Sequence, residues 1–231
     1  RIADVKELIC KLRGTPTGND YLDMRAKGSE ELSPRRQYHG ISTQIIGQIK
    51  NVRVPFNVDI GVGDIIVPRA EERTINTQLP DFEAPVIKTY SLESTIAEKF
   101  DAILQRFELT GRMKDFYDIY YLSRTFDFEG AKLQAAIFET LQRRGTPYDR
   151  DSFKRVVALA DDEDIQKRWK FFLKTIKDNT LEFSVVIAEI QTFLEPVFDA
   201  IANEKEWQNI WKSNAKKWSN LRGGIDRDKS S

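Results

Sequence analysis

The stretch from Glu93 to Leu122 constrains this chain more than any other, because two apolar patterns of helical period follow each other across one short break. At about 100° per residue, Ile96, Phe100, Ile103, Leu104 and Phe107 share a sector, which predicts an amphipathic helix over 92–108 with that sector inward. Glu98, Asp101 and Gln105 fall on the opposite side, as a solvated face would. Lys99 and Arg106 sit at the edge between the two. There Lys99 can lay its stem along the core and hold its ammonium at a cleft rim. Ser91 is placed to cap the helix start and Gly111 to stop it. A second helix is predicted over 112–123, burying Phe116, Ile119 and Tyr120. Asp115 and Asp118, three residues apart, share one flank of it with Arg112 and Lys114 nearby.

Two chemistries fit that spacing. Carboxylates and cations around one helix–turn–helix form a polyanion and metal site, or they form a surface ion-pair network that contributes little. With 31% of the residues charged, networks of the second kind are common, and spacing alone leaves both readings open.

The rest of the sequence narrows the function classes. Lysine plus arginine and aspartate plus glutamate each number 36, so the net charge is zero and any polyanion binding is local. A single cysteine, Cys10, excludes an internal disulfide and a cysteine-based zinc site, and it reads as a packed thiol in a reducing compartment. His39 is the only histidine, which argues against histidine-rich metal sites and a Ser-His-Asp hydrolase. No apolar run reaches the roughly 18 residues of a membrane-spanning helix, so a cytoplasmic protein with no membrane partner is expected.

Along the chain, 2–13 reads as a short amphipathic helix and 14–36 as loops, with a weak strand near Tyr21–Met24. Tyr38–Ile46 reads as a strand. From Val52 to Ile60 the alternation is regular, with Val52, Val54, Phe56, Val58 and Ile60 on one side and Arg53, Asn57 and Asp59 on the other. Asp59 thus leaves the polar face near the strand end, just before Gly61-Val62-Gly63-Asp64. A strand-end aspartate satisfied by turn amides is the plainer reading of Asp59, and Asp64 reads equally as a turn residue. Pro68–Pro85 is a connector, and Val86–Tyr90 one more strand. Helices are predicted over 131–144, 151–159 and 165–176. A last helical stretch, one long helix or two, runs from Phe183 to about Trp218 with a break near Pro196. Trp207, Trp211 and Trp218 recur at helical spacing, as a core or partner stripe first and a base-stacking surface second.

Ala97-Glu98-Lys99 followed by Arg112-x-Lys114-Asp115-x-x-Asp118 resembles the signature of the AbiEii/AbiGii toxins, nucleotidyltransferase-like toxins of bacterial toxin–antitoxin and abortive-infection systems. The likeness extends upstream to Tyr38-x-Gly40, the Asp59 strand, Gly61-x-Gly63-Asp64 and Pro68, and downstream to Gln142-Arg143-Arg144-Gly145-Thr146. It covers about residues 35–150. It implies an α+β fold: a nucleotidyltransferase-like mixed sheet with its N-terminal part incomplete (1–90), a helical domain (91–221) and a tail (222–231). It also implies transfer of a nucleotide from an NTP, with RNA (tRNA above all) as acceptor, Mg²⁺ or Mn²⁺ as cofactor and a cognate antitoxin as partner. Within that resemblance Asp59 is a metal carboxylate, Lys99, Arg112 and Lys114 bind the nucleotide, and Lys99, Asp115 and Asp118 join Asp59 in catalysis. The Gly-Ser loop and Asp-x-Asp pair of the family do not precede Asp59 here; Gly28-Ser29-Glu30-Glu31 lacks strand alternation and does not replace them. The expectation is that this segment precedes Arg1. The alternative is a catalytically inactive binding module acting through protein contacts.

Overall fold

The computed structural model describes Glu7 and residues 22–32, 39–62, 69–78 and 81–220. The expected helix over 2–13, Cys10, Asp64 and the tail over 222–231 lie outside the described residues. The chain divides into two compact units, Arg1–Ile65 and Ile66–Ser231. Its class is α+β: a sheet region in the first unit and a mainly helical region in the second.

The first unit is an antiparallel meander of β1 (Leu22–Leu32), β2 (His39–Ile49) and β3 (Val52–Val62). Lys50 and Asn51 make the tight turn between β2 and β3, with Lys50 at φ 50°, the left-handed region such a hairpin turn requires. The register pairs Ser42 with Asp59 and Ile49 with Val52. β1 corrects the expectation of loops over 14–36. Its Leu-Asp-Met-Arg-Ala-Lys-Gly-Ser sequence is too polar to announce a strand, but β2 supplies the ladder, and a bulge between Ala26 and Gly28 absorbs the interrupted pattern. In β3 the alternation stands, but Val52, Val54, Phe56 and Val58 remain exposed.

The second unit opens with the β4 (Glu71–Thr74) and β5 (Val86–Thr89) hairpin, which places an additional strand in the expected connector. Among the described residues six helices follow: α1 (Leu92–Leu104), α2 (Met113–Thr125), α3 (Gly130–Arg144), α4 (Ser152–Ala158), α5 (Glu163–Thr175) and α6 (Phe183–Ala202). Their apolar sides form one core. α6 is its centre, burying Phe183, Val186, Ile187, Ile190, Phe193, Leu194, Val197, Phe198 and Ile201, and α2, α3 and α4 pack against it. α1 lies against both α2 and α3. No helix among the described residues is long and apolar enough to cross a membrane.

Two corrections concern the C-terminal third. The helix from Phe183 runs through Pro196 and ends at Ala202, and the chain then forms a hairpin, β7 (Ile210–Lys212) and β8 (Lys217–Ser219), paired with the short β6 (Phe128–Glu129). The tryptophan spacing imitates a helix, but Glu204 and Lys216 take positive φ and turn the chain. The three tryptophans are core rather than a stacking surface. Trp211 is fully buried and donates to the Ser123 carbonyl at 2.6 Å, Trp218 donates to the Phe193 carbonyl at 3.0 Å, and Trp207 packs edge-on against Trp218.

Candidate functional site

Helix α1 delivers Lys99 from a fixed start. Ser91 is fully buried and its Oγ accepts from the Ser94 amide at 3.0 Å, the cap expected from sequence. The inward positions Ile96, Phe100 and Ile103 then hold Lys99 at the helix edge, its side chain 19% exposed. Helix α2 returns along α1 and lays two carboxylates against that ammonium. Lys99 Nζ donates to Asp115 Oδ1 at 3.3 Å and to Asp118 Oδ2 at 2.5 Å. Lys114 donates to the same Asp118 oxygen at 2.6 Å, one helical turn away. Arg112 stands 3.4 Å from Asp115 Oδ2, an ion pair too long to satisfy that oxygen, which is buried without a hydrogen bond.

Three cations and two carboxylates leave the cluster one net positive charge. Lys99, Asp115 and Asp118 are largely withdrawn from water, whereas Arg112 and Lys114 are mostly exposed. The first turn of α2 opens at the same place, and Arg112 puts no side-chain cap on it. Uncapped amides and the positive end of the helix dipole add to the attraction for an anion. The arrangement is suited to a phosphate arriving at the rim, where Arg112 and Lys114 are exposed and the Lys99 ammonium is held between two carboxylates.

The connection from α1 to α2 departs from expectation. The first helix ends at Leu104 rather than 108, and Phe107–Leu109 form a single 3₁₀ turn with Phe107 at φ 41°. Two arginines from other helices secure that strained path. Arg155 of α4 lies over the Phe107 ring at 3.8 Å and pairs with Glu108 at 3.2 Å. Arg168 of α5 donates to the carbonyls of Glu108 at 3.0 Å and Thr110 at 2.8 Å. Thr110 is fully buried and its Oγ1 accepts from the Arg112 amide, so the clamp ends at a residue of the cluster.

Asp101, expected in solvent, is completely buried, and so the polar side of α1 is a second interface. Its carboxylate receives Arg144 Nη1 at 2.9 Å, Gln105 Nε2 at 2.9 Å and the Thr146 hydroxyl, while Arg144 also pairs with Glu98. Burial raises the Asp101 pKa from its ordinary value, against the lowering effect of the Thr146 and Gln105 hydrogen bonds. Gly145, at φ 59°, ends α3 in the left-handed conformation that turns Thr146 back toward α1. Asp101 and Arg168 were missed from sequence. The Arg144-Gly145-Thr146 run was the only signal pointing to this network.

A cleft of about 450 Å³ lies between α2 and the start of α6, with Tyr117, Tyr120, Asp178 and Glu182 in its wall. Hydrogen bonds from Thr180 lower the Asp178 pKa, and a carboxylate held ionised there repels phosphate.

Asp59 lies in the other unit, on β3, where Ser42 Oγ donates to its Oδ1 at 2.6 Å from the facing strand. Among the described residues no three His, Cys, Asp or Glu side chains converge to hold a metal ion. Asp115 and Asp118 are committed to Lys99. The described residues therefore do not fit a catalytic metal centre.

A protein-family model described as nucleotidyl transferase AbiEii toxin, type IV TA system, matches residues 1–213. No curated protein and no solved structure matches the chain.

Proposed function

The chain belongs to the AbiEii nucleotidyltransferase-toxin family, and from that premise we propose that it transfers a nucleotide from an NTP to RNA, tRNA above all, within a toxin–antitoxin or phage-defence system. The observation that carries the reading is the Lys99 ammonium fixed between Asp115 and Asp118, with two exposed cations at the same helix start. In the transfer an acceptor hydroxyl oxygen bonds the α-phosphorus, the α–β bridging P–O bond breaks and pyrophosphate leaves. The hydroxyl proton goes to water or a carboxylate. Little covalent chemistry is asked of the protein, since positioned cations supply most of the catalysis of phosphoryl transfer. Lys99 neutralises triphosphate charge, Arg112 and Lys114 recruit the phosphates, and Asp115 and Asp118 hold Lys99 in its productive place. Metal-dependent NTP chemistry of the family kind needs more carboxylates than Asp59 provides.

The test is incorporation of radiolabelled nucleotide into total RNA by the purified protein. Lys99→Ala and Asp115→Ala are expected to lower transfer by about 100-fold or more. Arg112→Gln/Lys114→Gln is expected to lower nucleotide affinity while leaving the melting temperature in place. Unchanged transfer in the Lys99 or Asp115 variant removes that residue from the mechanism.

A second reading is favoured by one feature of the same cluster. Asp115 pairs with both Lys99 and Arg112, as a structural brace in a non-catalytic antitoxin-binding module would. Breaking a withdrawn pair costs up to roughly 3–5 kcal/mol. On this reading Lys99→Ala unfolds the protein and the native chain incorporates no nucleotide.

A further inference from the structure

Helix α5 turns one side inward, with Ile165, Trp169 and Leu173 buried, and presents an unusual opposite side. From Ile165 to Lys177 the chain holds five cations, Lys167, Arg168, Lys170, Lys174 and Lys177, and no acid. Lys167, Lys170, Phe171 and Lys174 fall within a sector of about 100° facing water. Phe171 stands at one edge of that sector, 72% exposed. Lys170 and Lys174 have no ion-pair partner among the described residues, whereas Lys167 pairs with Asp164 at 3.0 Å and stands 4.0 Å from Glu163, both exposed in the first turn of the helix. Burying a phenylalanine side chain contributes about 1.5–3 kcal/mol, a gain this exposed ring does not take.

We propose that this face of α5 is the docking surface for an RNA strand, with phosphates on Lys167, Lys170 and Lys174 and an unstacked base on Phe171. Charge decides the class of partner: past the acids of the first turn, the ammonium groups of Lys170 and Lys174, one turn apart and without an acid partner, match a phosphate backbone. The ring narrows it to a strand with accessible bases, because base–aromatic stacking asks for an open π-face and tolerates any sequence. The location is consistent with delivery to the cluster. Arg168, at the edge of the same face, holds the carbonyls of Glu108 and Thr110, and two residues further on stands Arg112. The choice of RNA rests on the nucleotide-transfer reading; the surface itself does not.

The experiment is fluorescence anisotropy of a labelled 20-nucleotide single-stranded RNA against the full chain over a series of KCl concentrations. Three phosphate contacts give a log–log salt slope of about −2. Lys170→Glu/Lys174→Glu is expected to weaken binding by at least about ten-fold and to flatten the slope. Phe171→Ala is expected to weaken it by about 5- to 100-fold at an unchanged slope. All three side chains point to solvent, so the melting temperature should not move. Wild-type affinity in both variants overturns the proposal, as does binding to vesicles of anionic lipid but not to RNA. Two results separate it from the transfer reading. RNA bound through α5 with no nucleotide incorporated leaves the surface standing and sinks the transfer. Full incorporation into RNA by a variant carrying all three substitutions does the reverse.

Discussion

Arg144→Ala is the perturbation whose cost the structure specifies best. Asp101 is completely buried, and Arg144, 17% exposed, is the cation that compensates it. Removing one partner of a buried pair costs about 3–5 kcal/mol, mainly through the charge left behind. Here Thr146 and Gln105 still donate to the carboxylate, and the carboxylate can take up a proton, so the low end applies: about 3 kcal/mol. For a domain of this size that lowers the melting temperature by roughly 6–12 °C. The pH dependence gives the sharper signature. The folded Asp101 pKa lies above its ordinary value of 3.8, so the stability from this group is fully present below that value and is lost as pH rises through the folded one. Taking away the guanidinium raises the folded pKa further. The deficit of Arg144→Ala is therefore smallest near pH 4 and reaches its full size toward neutral pH, about 3 kcal/mol by pH 8. Urea titrations of both proteins across that range measure it; carboxylates that Arg144 does not touch cancel in the difference, and Glu98, its other partner, adds a smaller contribution from a more exposed site. A loss below about 1 kcal/mol, or one equal at both ends of the range, refutes the account of Asp101 as a buried charge.

Other perturbations follow from equally local geometry. A Cβ on Gly130 would lie 2.5 Å from the Trp207 ring and 2.6 Å from the Asn209 carbonyl, so Gly130→Ala should cost about 1–3 kcal/mol by overpacking, whereas Gly111→Ala, with nothing within 4 Å, should be nearly neutral in the same denaturation assay. Arg168→Ala frees two carbonyls of the α1–α2 connection. Faster amide hydrogen exchange over 105–112 is expected, with partial recovery in Arg168→Lys, which still donates to one of the two. Unchanged exchange would mean that Arg155 and Phe107 alone hold the turn.

What the sequence disclosed was whatever short range determines. The two helices of the Lys99 cluster and the Ser91 cap depend on neighbours within a turn or two, and they stand in the structure, the first helix ending short at Leu104. The Lys114–Asp118 pair, at i and i+4, was legible for the same reason. What stayed hidden depends on partners far along the chain. Asp101 looked solvated because a helical wheel shows one helix, while Arg144 and Thr146 arrive from 43 and 45 residues away to bury its second side. The Trp207–Trp218 segment shared its spacing with a helix and was turned into a hairpin by pairing with β6 and by the carboxylate of Asp127, which accepts from the Ser213 amide. Strand β1 needed β2 before its polar residues had a reason to extend.

The brace and the catalytic reading assign the same residues, and exposure separates their demands. A brace needs Lys99, Asp115 and Asp118, which are withdrawn from water and hold α1 against α2. It gains little from Arg112 and Lys114, because exposed pairs on one helix contribute only a few tenths of a kcal/mol. Two exposed cations at a helix start without a side-chain cap, beside a buried carboxylate oxygen with no hydrogen bond, are therefore the members of the cluster the fold needs least. They are what anion capture requires, since rim charges raise the local concentration of a polyanion and an ammonium fixed behind them does not have to reorganise when phosphate arrives. The inner trio can serve the fold and the chemistry together, and loss of activity on its mutation does not tell the two apart. The rim pair is therefore the place to separate the two readings. On the transfer reading, neutralising Arg112 and Lys114 leaves the melting temperature in place and lowers nucleotide affinity, a pairing of outcomes that a structural brace does not predict.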